Sequence, residues 1–158
     1  MTRRTALRPT IRVVGAAHST AAPHVVYGLL HDRPGWPNWS SLGRYEHVSG
    51  VEGELGAVCV FVTSGMRSVE RIVELVPGQR LSYVLESGLP MRDYRADVDL
   101  VPAPNPDGST GTDITWCSTF RPAIRGTGWL FRAMVRQIVG RMSASLATTA
   151  ATATASAR

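Results

Sequence analysis

Lysine is absent, and all seventeen basic residues are arginine, which the codon bias of a GC-rich genome explains without any selected chemistry. Cysteine is limited to Cys59 and Cys117. Both fall in strand-like runs, where a buried free thiol is the usual state of a cytoplasmic protein, so the fold needs no disulfide. No apolar run approaches the roughly 18 residues needed to cross a bilayer. The start Met1-Thr2-Arg3-Arg4 leads to Pro9 rather than into an apolar signal segment. These absences predict a cytoplasmic protein with no membrane insertion. Catalytic signatures are also missing: no G-x-S-x-G elbow, no H-E-x-x-H, no G-x-x-x-x-G-K, and no G-x-G-x-x-G opening a helix after a strand. Serine hydrolase, zincin, P-loop and Rossmann chemistry are therefore unsupported. His18, His24, His31 and His47 show no metal-ligand spacing, so no metal is expected.

What is present bounds the answer. A chain of 158 residues, 44% hydrophobic and 18% charged, suffices for one domain with a sizeable core and is too short for two. The formal charge of +5 is concentrated at the ends. Without Arg3, Arg4, Arg8 and Arg158, 13 arginines face 12 acids. A near-neutral body with a basic leader lacks the clustered face of a nucleic-acid binder.

Residues 1–9 form a polar, Arg-rich leader, and residues 147–158 form an Ala/Thr tail of low complexity; both are expected to be loose around a domain at 10–146. Ile11 to Ala17 reads as a strand. Ser19 and Thr20 are candidate caps for a helix carrying Val25, Val26, Leu29 and Leu30, with Pro23 tolerated in its first turn. Arg33-Pro34-Gly35-Trp36-Pro37-Asn38-Trp39 then breaks into a turn or a brief second helical piece.

From Tyr45 to Arg121 the pattern becomes runs of about eight to eleven residues, closed by Ser49-Gly50, Ser64-Gly65, Pro77-Gly78, Ser87-Gly88 and the loop from Pro102 to Gly111, which predicts an antiparallel meander. In its last runs Tyr94, Ala96, Val98 and Leu100 share one face, as do Ile114, Trp116, Ser118 and Phe120. Trp129 to Leu146 then places Leu130, Phe131, Met134, Val135, Ile138, Met142 and Leu146 on one helical face. The predicted α+β architecture is a seven-stranded, curved antiparallel sheet gripping a long C-terminal helix, with a short helical segment near the N-terminus.

The residues Ala22-Pro23 with Val26-Tyr27, Trp36-Pro37-Asn38-Trp39, Glu70-Arg71-Ile72-Val73-Glu74 ending in Pro77-Gly78-Gln79-Arg80-Leu81-Ser82-Tyr83, and Gly111-Thr112 before Ile114-Thr115-Trp116 resemble the polyketide cyclase/dehydrase branch of the START-like, or SRPBCC, superfamily. The resemblance spans roughly Ile11 to Leu146. It implies a helix-grip fold with a deep cavity between sheet and long helix, and an apolar ligand. Activities differ across the superfamily and include aromatic polyketide cyclases, sterol or lipid carriers and hormone binders, so the function it implies is an analogy from fold.

Several polar residues have a parity that points them into such a cavity. If Tyr94 faces inward, Arg92 two residues earlier should do the same and hold an oxyanion; the plain alternative is a solvated strand start. Tyr94 and Tyr83 could donate to a ligand carbonyl or act as general acids, or they could simply be core aromatics. His47 shares parity with Tyr45 and is a candidate base, or a merely packed or exposed histidine. Trp116, Ser118 and Phe120 face inward as stacking walls or as packing. Trp36 and Trp39 line the entrance or staple the short helix to the sheet. Trp129, near Gly126 and Gly128, forms a flexible lip or follows ordinary loop punctuation. Met134 lies on the apolar face of the long helix. Glu70 and Arg71 occupy opposite faces of one strand, and alternation does not decide which is internal; Arg67 shares the face of Arg71.

The expected function is a cavity protein for a hydrophobic, oxygenated small molecule, acting as a cyclase or dehydratase on a polyketide intermediate without a cofactor. The alternative is a non-catalytic carrier of a lipid or aromatic metabolite. A third reading, an interaction module using Arg132 and Arg136, is met equally by the ordinary charged side of an amphipathic helix. Either a monomer or a homodimer is compatible with this sequence.

Overall fold

The computed structural model of the protein describes residues 9–157, so the basic leader lies almost wholly outside it. The chain runs β1 (Ile11–Ser19), α1 (Pro23–His31), a 3-10 turn (Arg33–Gly35), α2 (Trp36–Trp39), β2 (Arg44–Ser49), β3 (Val58–Thr63), β4 (Met66–Val76), β5 (Arg80–Ser87), β6 (Met91–Pro104), β7 (Thr110–Pro122) and α3 (Gly128–Ser156). The strands form one antiparallel sheet in the order β1-β7-β6-β5-β4-β3-β2. The first strand thus pairs with the last, and the α1–α2 segment connects the two edges. The turn chemistry acts as its residues predict. At Val76-Pro77-Gly78-Gln79 the Gln79 amide donates to the Val76 carbonyl at 2.9 Å and Gly78 sits at φ 72°, a type II turn with proline and glycine at their preferred positions.

The helix α1 begins on Pro23 and buries Val26 and Leu30, one turn apart. The long helix α3 lies across the inner face of the sheet and buries Phe131, Val135, Val139, Met142, Leu146 and Ala150. It comes close to β1 at Gly15, where a Cβ would stand 2.6 Å from the backbone carbonyl carbon and oxygen of Val139. Only a residue without a side chain lets helix and strand touch there.

Two expectations about the helix are corrected. Leu130 and Ile138 flank its buried stripe and are exposed rather than core. The Ala/Thr segment, expected to be loose, is helical to Ser156, with Ala147 and Ala150 buried. Small side chains allow it to pack closely: the Ser19 hydroxyl donates to the Ala147 carbonyl at 2.7 Å. Low complexity here reflects a requirement for small residues against the sheet. Both cysteines are free.

Candidate functional site

The central strands turn their inner faces toward α3, and between them lies a cavity of about 100 Å³. Its walls are Trp36 from α2, Glu70 from β4, Tyr83 from β5, Met91 and Tyr94 from β6, Trp116 from β7, and Met134, Ile138, Val139 and Met142 from α3. Trp36 is the hub: its ring lies 5.5 Å from Trp116, 5.7 Å from Phe61 and 5.9 Å from Tyr83, centroid to centroid. Its indole nitrogen donates to the Leu30 carbonyl at 2.9 Å, so the ring is held by the end of α1. Sites for drug-sized ligands measure about 300–1,000 Å³, so the cavity in this conformation is small beside them.

Two tyrosines supply the polar wall. The Tyr94 hydroxyl lies 2.9 Å from the Ser118 hydroxyl, and its ring stacks on Phe120 at 6.2 Å. The Tyr83 ring centre lies 6.3 Å from that of Tyr94. Burial pushes the Tyr94 hydroxyl up to about 12, with the Ser118 hydrogen bond pulling the other way. Burial likewise holds Tyr83 well above the ordinary tyrosine value, and the neighbouring Tyr94 and Glu70 add to it. Both are neutral hydrogen-bond donors at any physiological pH.

Behind this wall sits a buried ion pair. Arg33 is 1% exposed; its Nη2 donates to Glu70 Oε2 and, at 3.4 Å, to Cys59 Sγ. Its guanidinium carbon lies 4.0 Å from the Trp36 ring centre, 4.6 Å from that of Tyr83 and 5.1 Å from that of Phe61. Burial alone would pull this guanidinium down, but Glu70 and the other acidic groups around it raise it, so the charge is retained. Burial pushes the Cys59 thiol up, against the pull of Arg33, which keeps the sulfur a weak acceptor rather than a nucleophile. Nε and Nη1 of Arg33 and Nε1 of Trp39 and Trp116 are buried without a geometric hydrogen-bond partner among the described residues.

The structure brings together Tyr83, Tyr94, Trp36, Trp116 and Met134 around the cavity, as their patterns predict. Ser118 and Phe120 stand one layer back and hold Tyr94. Trp39 packs on Trp36 at 5.5 Å and serves as the staple rather than the wall. Three residues lie elsewhere. Arg92 is exposed, because a bulge between Arg92 and Arg95, with Asp93 at φ 51°, resets the alternation and gives the inward place to Met91. His47 is exposed and donates to the Gly50 carbonyl at 3.0 Å, so it does not enter the cavity. Trp129 is 74% exposed on the outer side of α3.

The strand that alternation left undecided is settled by pairing: Glu70 faces in beside Cys59, and Arg71 faces out to Glu86 at 2.5 Å. Arg33 is the buried charge beside the cavity that pattern reading missed. Its signal was its place three residues before Trp36 in a helical segment, which puts both side chains on one face. No group of three or more His, Cys, Asp or Glu placed to hold a metal occurs among the described residues. No helix among them is long and apolar enough to cross a membrane.

The sequence profile of the family described as "polyketide cyclase / dehydrase and lipid transport" matches residues 10–154. Two solved structures illustrate the fold. The protein XoxI from Bacillus cereus is 15% identical with a TM-score of 0.72, the match covering 87% of this chain and 94% of that one. A putative uncharacterized protein from Bacillus thuringiensis is 14% identical with a TM-score of 0.69, covering 88% and 98%. No curated protein matches the chain by sequence.

Proposed function

The chain belongs to the polyketide cyclase/dehydrase and lipid transport family, and from that premise we propose that it binds a hydrophobic, oxygenated small molecule between sheet and α3 and promotes cyclisation or dehydration of a poly-carbonyl chain of the polyketide kind. The observation that carries this reading is the pair of protonated, buried hydroxyls of Tyr83 and Tyr94 on the wall of an otherwise largely apolar cavity. A dry, closely fitting wall folds a flexible chain so that an enol carbon meets a carbonyl carbon, and the entropy of that alignment supplies much of the rate. As the new bond forms, the carbonyl oxygen becomes an alkoxide. The Tyr94 hydroxyl donates to it and then protonates it, a downhill transfer because an alcohol is a weaker acid than a phenol titrating near 12. The proton lost by the enol restores Tyr94, with Ser118 in hydrogen-bond reach as a relay, so the ring closure is balanced.

The test is to supply a synthetic poly-carbonyl chain and follow ring formation by ultraviolet absorbance and mass spectrometry, with Tyr94→Phe alongside. Loss of the general acid should lower turnover by about 10²–10⁴-fold while binding changes little. Unchanged turnover in Tyr94→Phe removes Tyr94 from the chemistry. The carrier reading draws on one observation of its own: among the described residues the only carboxylate on the cavity wall, Glu70, is already paired with Arg33. A supplied chain that binds and is recovered unchanged favours the carrier.

A further inference from the structure

The Arg33–Glu70 pair is not symmetric toward the cavity. Glu70 is part of the wall, whereas Arg33 is 1% exposed and sealed behind the rings of Trp36, Phe61 and Tyr83. The pair is therefore a dipole with its negative end turned to the ligand space. Glu70 Oε2 is taken by Arg33, and among the described residues no hydrogen bond reaches Oε1. The other polar groups of the wall, the Tyr83 and Tyr94 hydroxyls, the Ser68 side chain and the indole N–H groups of Trp36 and Trp116, are neutral, and among the described residues no cationic side chain lines the cavity.

We propose that Glu70 is a specificity-determining residue that admits neutral ligands carrying a hydroxyl or enol donor and rejects carboxylates, free fatty acids included. A ligand hydroxyl can donate to Glu70 Oε1, the carboxylate oxygen that Arg33 leaves open. A ligand carboxylate offers that oxygen nothing to accept. It also brings a second negative charge into a low-dielectric space where like charges repel strongly. The sealed guanidinium stands behind Glu70 and offsets that repulsion only in part, and it cannot bond the ligand directly without leaving its three rings. This inference deepens the cavity reading above and rests on it, and it names the charge and donor character of what the cavity takes.

The test is equilibrium binding of three shape-matched probes, ethylbenzene, para-ethylphenol and para-ethylbenzoate, to the full chain at neutral pH, read by the fluorescence of Trp36 and Trp116 and by calorimetry. Para-ethylphenol should bind at least about tenfold more tightly than para-ethylbenzoate, a gap of about 1.4 kcal/mol. Lowering the pH from about 7.5 to about 5, toward the carboxyl range, should strengthen para-ethylbenzoate as its neutral form appears. In Glu70→Gln the discrimination should shrink to within about threefold, the amide being able to donate to a carboxylate. That variant leaves Arg33 without its counter-ion and can fail to fold, so Arg33→Met/Glu70→Gln, which removes both charges, is measured beside it. Para-ethylbenzoate binding as tightly as para-ethylphenol, or discrimination unchanged in the double variant, overturns the role of Glu70 while leaving the cavity reading intact. Failure of all three probes, the hydrocarbon included, overturns both.

Discussion

Arg33→Met is the perturbation with the largest expected effect on stability. The side chain it removes is almost completely buried, bonds Glu70 and Cys59, and lies against three aromatic rings. Methionine keeps much of the volume and can contact the same rings, so the packing loss is modest. What remains is Glu70, whose side chain is 11% exposed, without its counter-ion. Removing one partner of a buried pair costs about 3–5 kcal/mol. At about 2–4 °C per kcal/mol for a domain of this size, the midpoint of thermal unfolding should fall by roughly 10 °C. Removing both charges, in Arg33→Met/Glu70→Gln, should recover most of that loss, because replacing a buried pair by neutral groups is often neutral or stabilising. Urea unfolding of the wild type, both single variants and the double variant closes a thermodynamic cycle, with the coupling energy as its readout. A loss below about 1 kcal/mol in Arg33→Met, or a double variant no more stable than the single ones, would refute the idea that charge compensation holds this region together.

Two further predictions concern the frame around the cavity. All four tyrosines are raised above their ordinary value, chiefly by burial, with Tyr94 at about 12. The unfolded chain therefore loses phenolic protons first, and this contribution to stability is complete below about pH 10 and is lost as pH rises through the folded values. An alkaline titration followed at the phenolate absorbance should show little native ionisation near pH 10 and a cooperative rise with unfolding; a tyrosine that ionises in the native state below about pH 10 would contradict it. Gly15→Ala would drive a methyl group into the Val139 and Gly140 backbone, 2.6 to 2.8 Å away. It should cost about 1–3 kcal/mol by displacing α3 from β1, and a change below about 0.5 kcal/mol in urea unfolding would show that the contact is not tight.

The fold was legible where local rules are strong. Turn pairs such as Pro77-Gly78 bounded the strands, and alternation in β7 sent Trp116, Ser118 and Phe120 inward together. Tyr94 faces inward as its parity predicts and Arg92 does not, because a single residue of bulge reverses every parity on one side of it and nothing in the residues Arg92-Asp93 announces it. Glu70 and Arg71 could not be told apart by alternation; the partner that selects Glu70 lies 37 positions away at Arg33. Arg33 in turn stood in a stretch dominated by proline and glycine, where breaker signals mask a buried charge. The Ala/Thr tail misled in the opposite sense. Composition alone does not distinguish residues too small to build a core from residues small enough to pack against β1.

The most direct test of a ligand seated between sheet and helix is the set of intermolecular proton contacts to bound para-ethylphenol, measured by nuclear magnetic resonance on the full chain. The expected result is cross-relaxation from the ligand to Tyr94, Met134 and Met142, which face the cavity from opposite walls. Contacts confined to Trp129, Arg132 and Arg136 on the outer surface of α3 would contradict it.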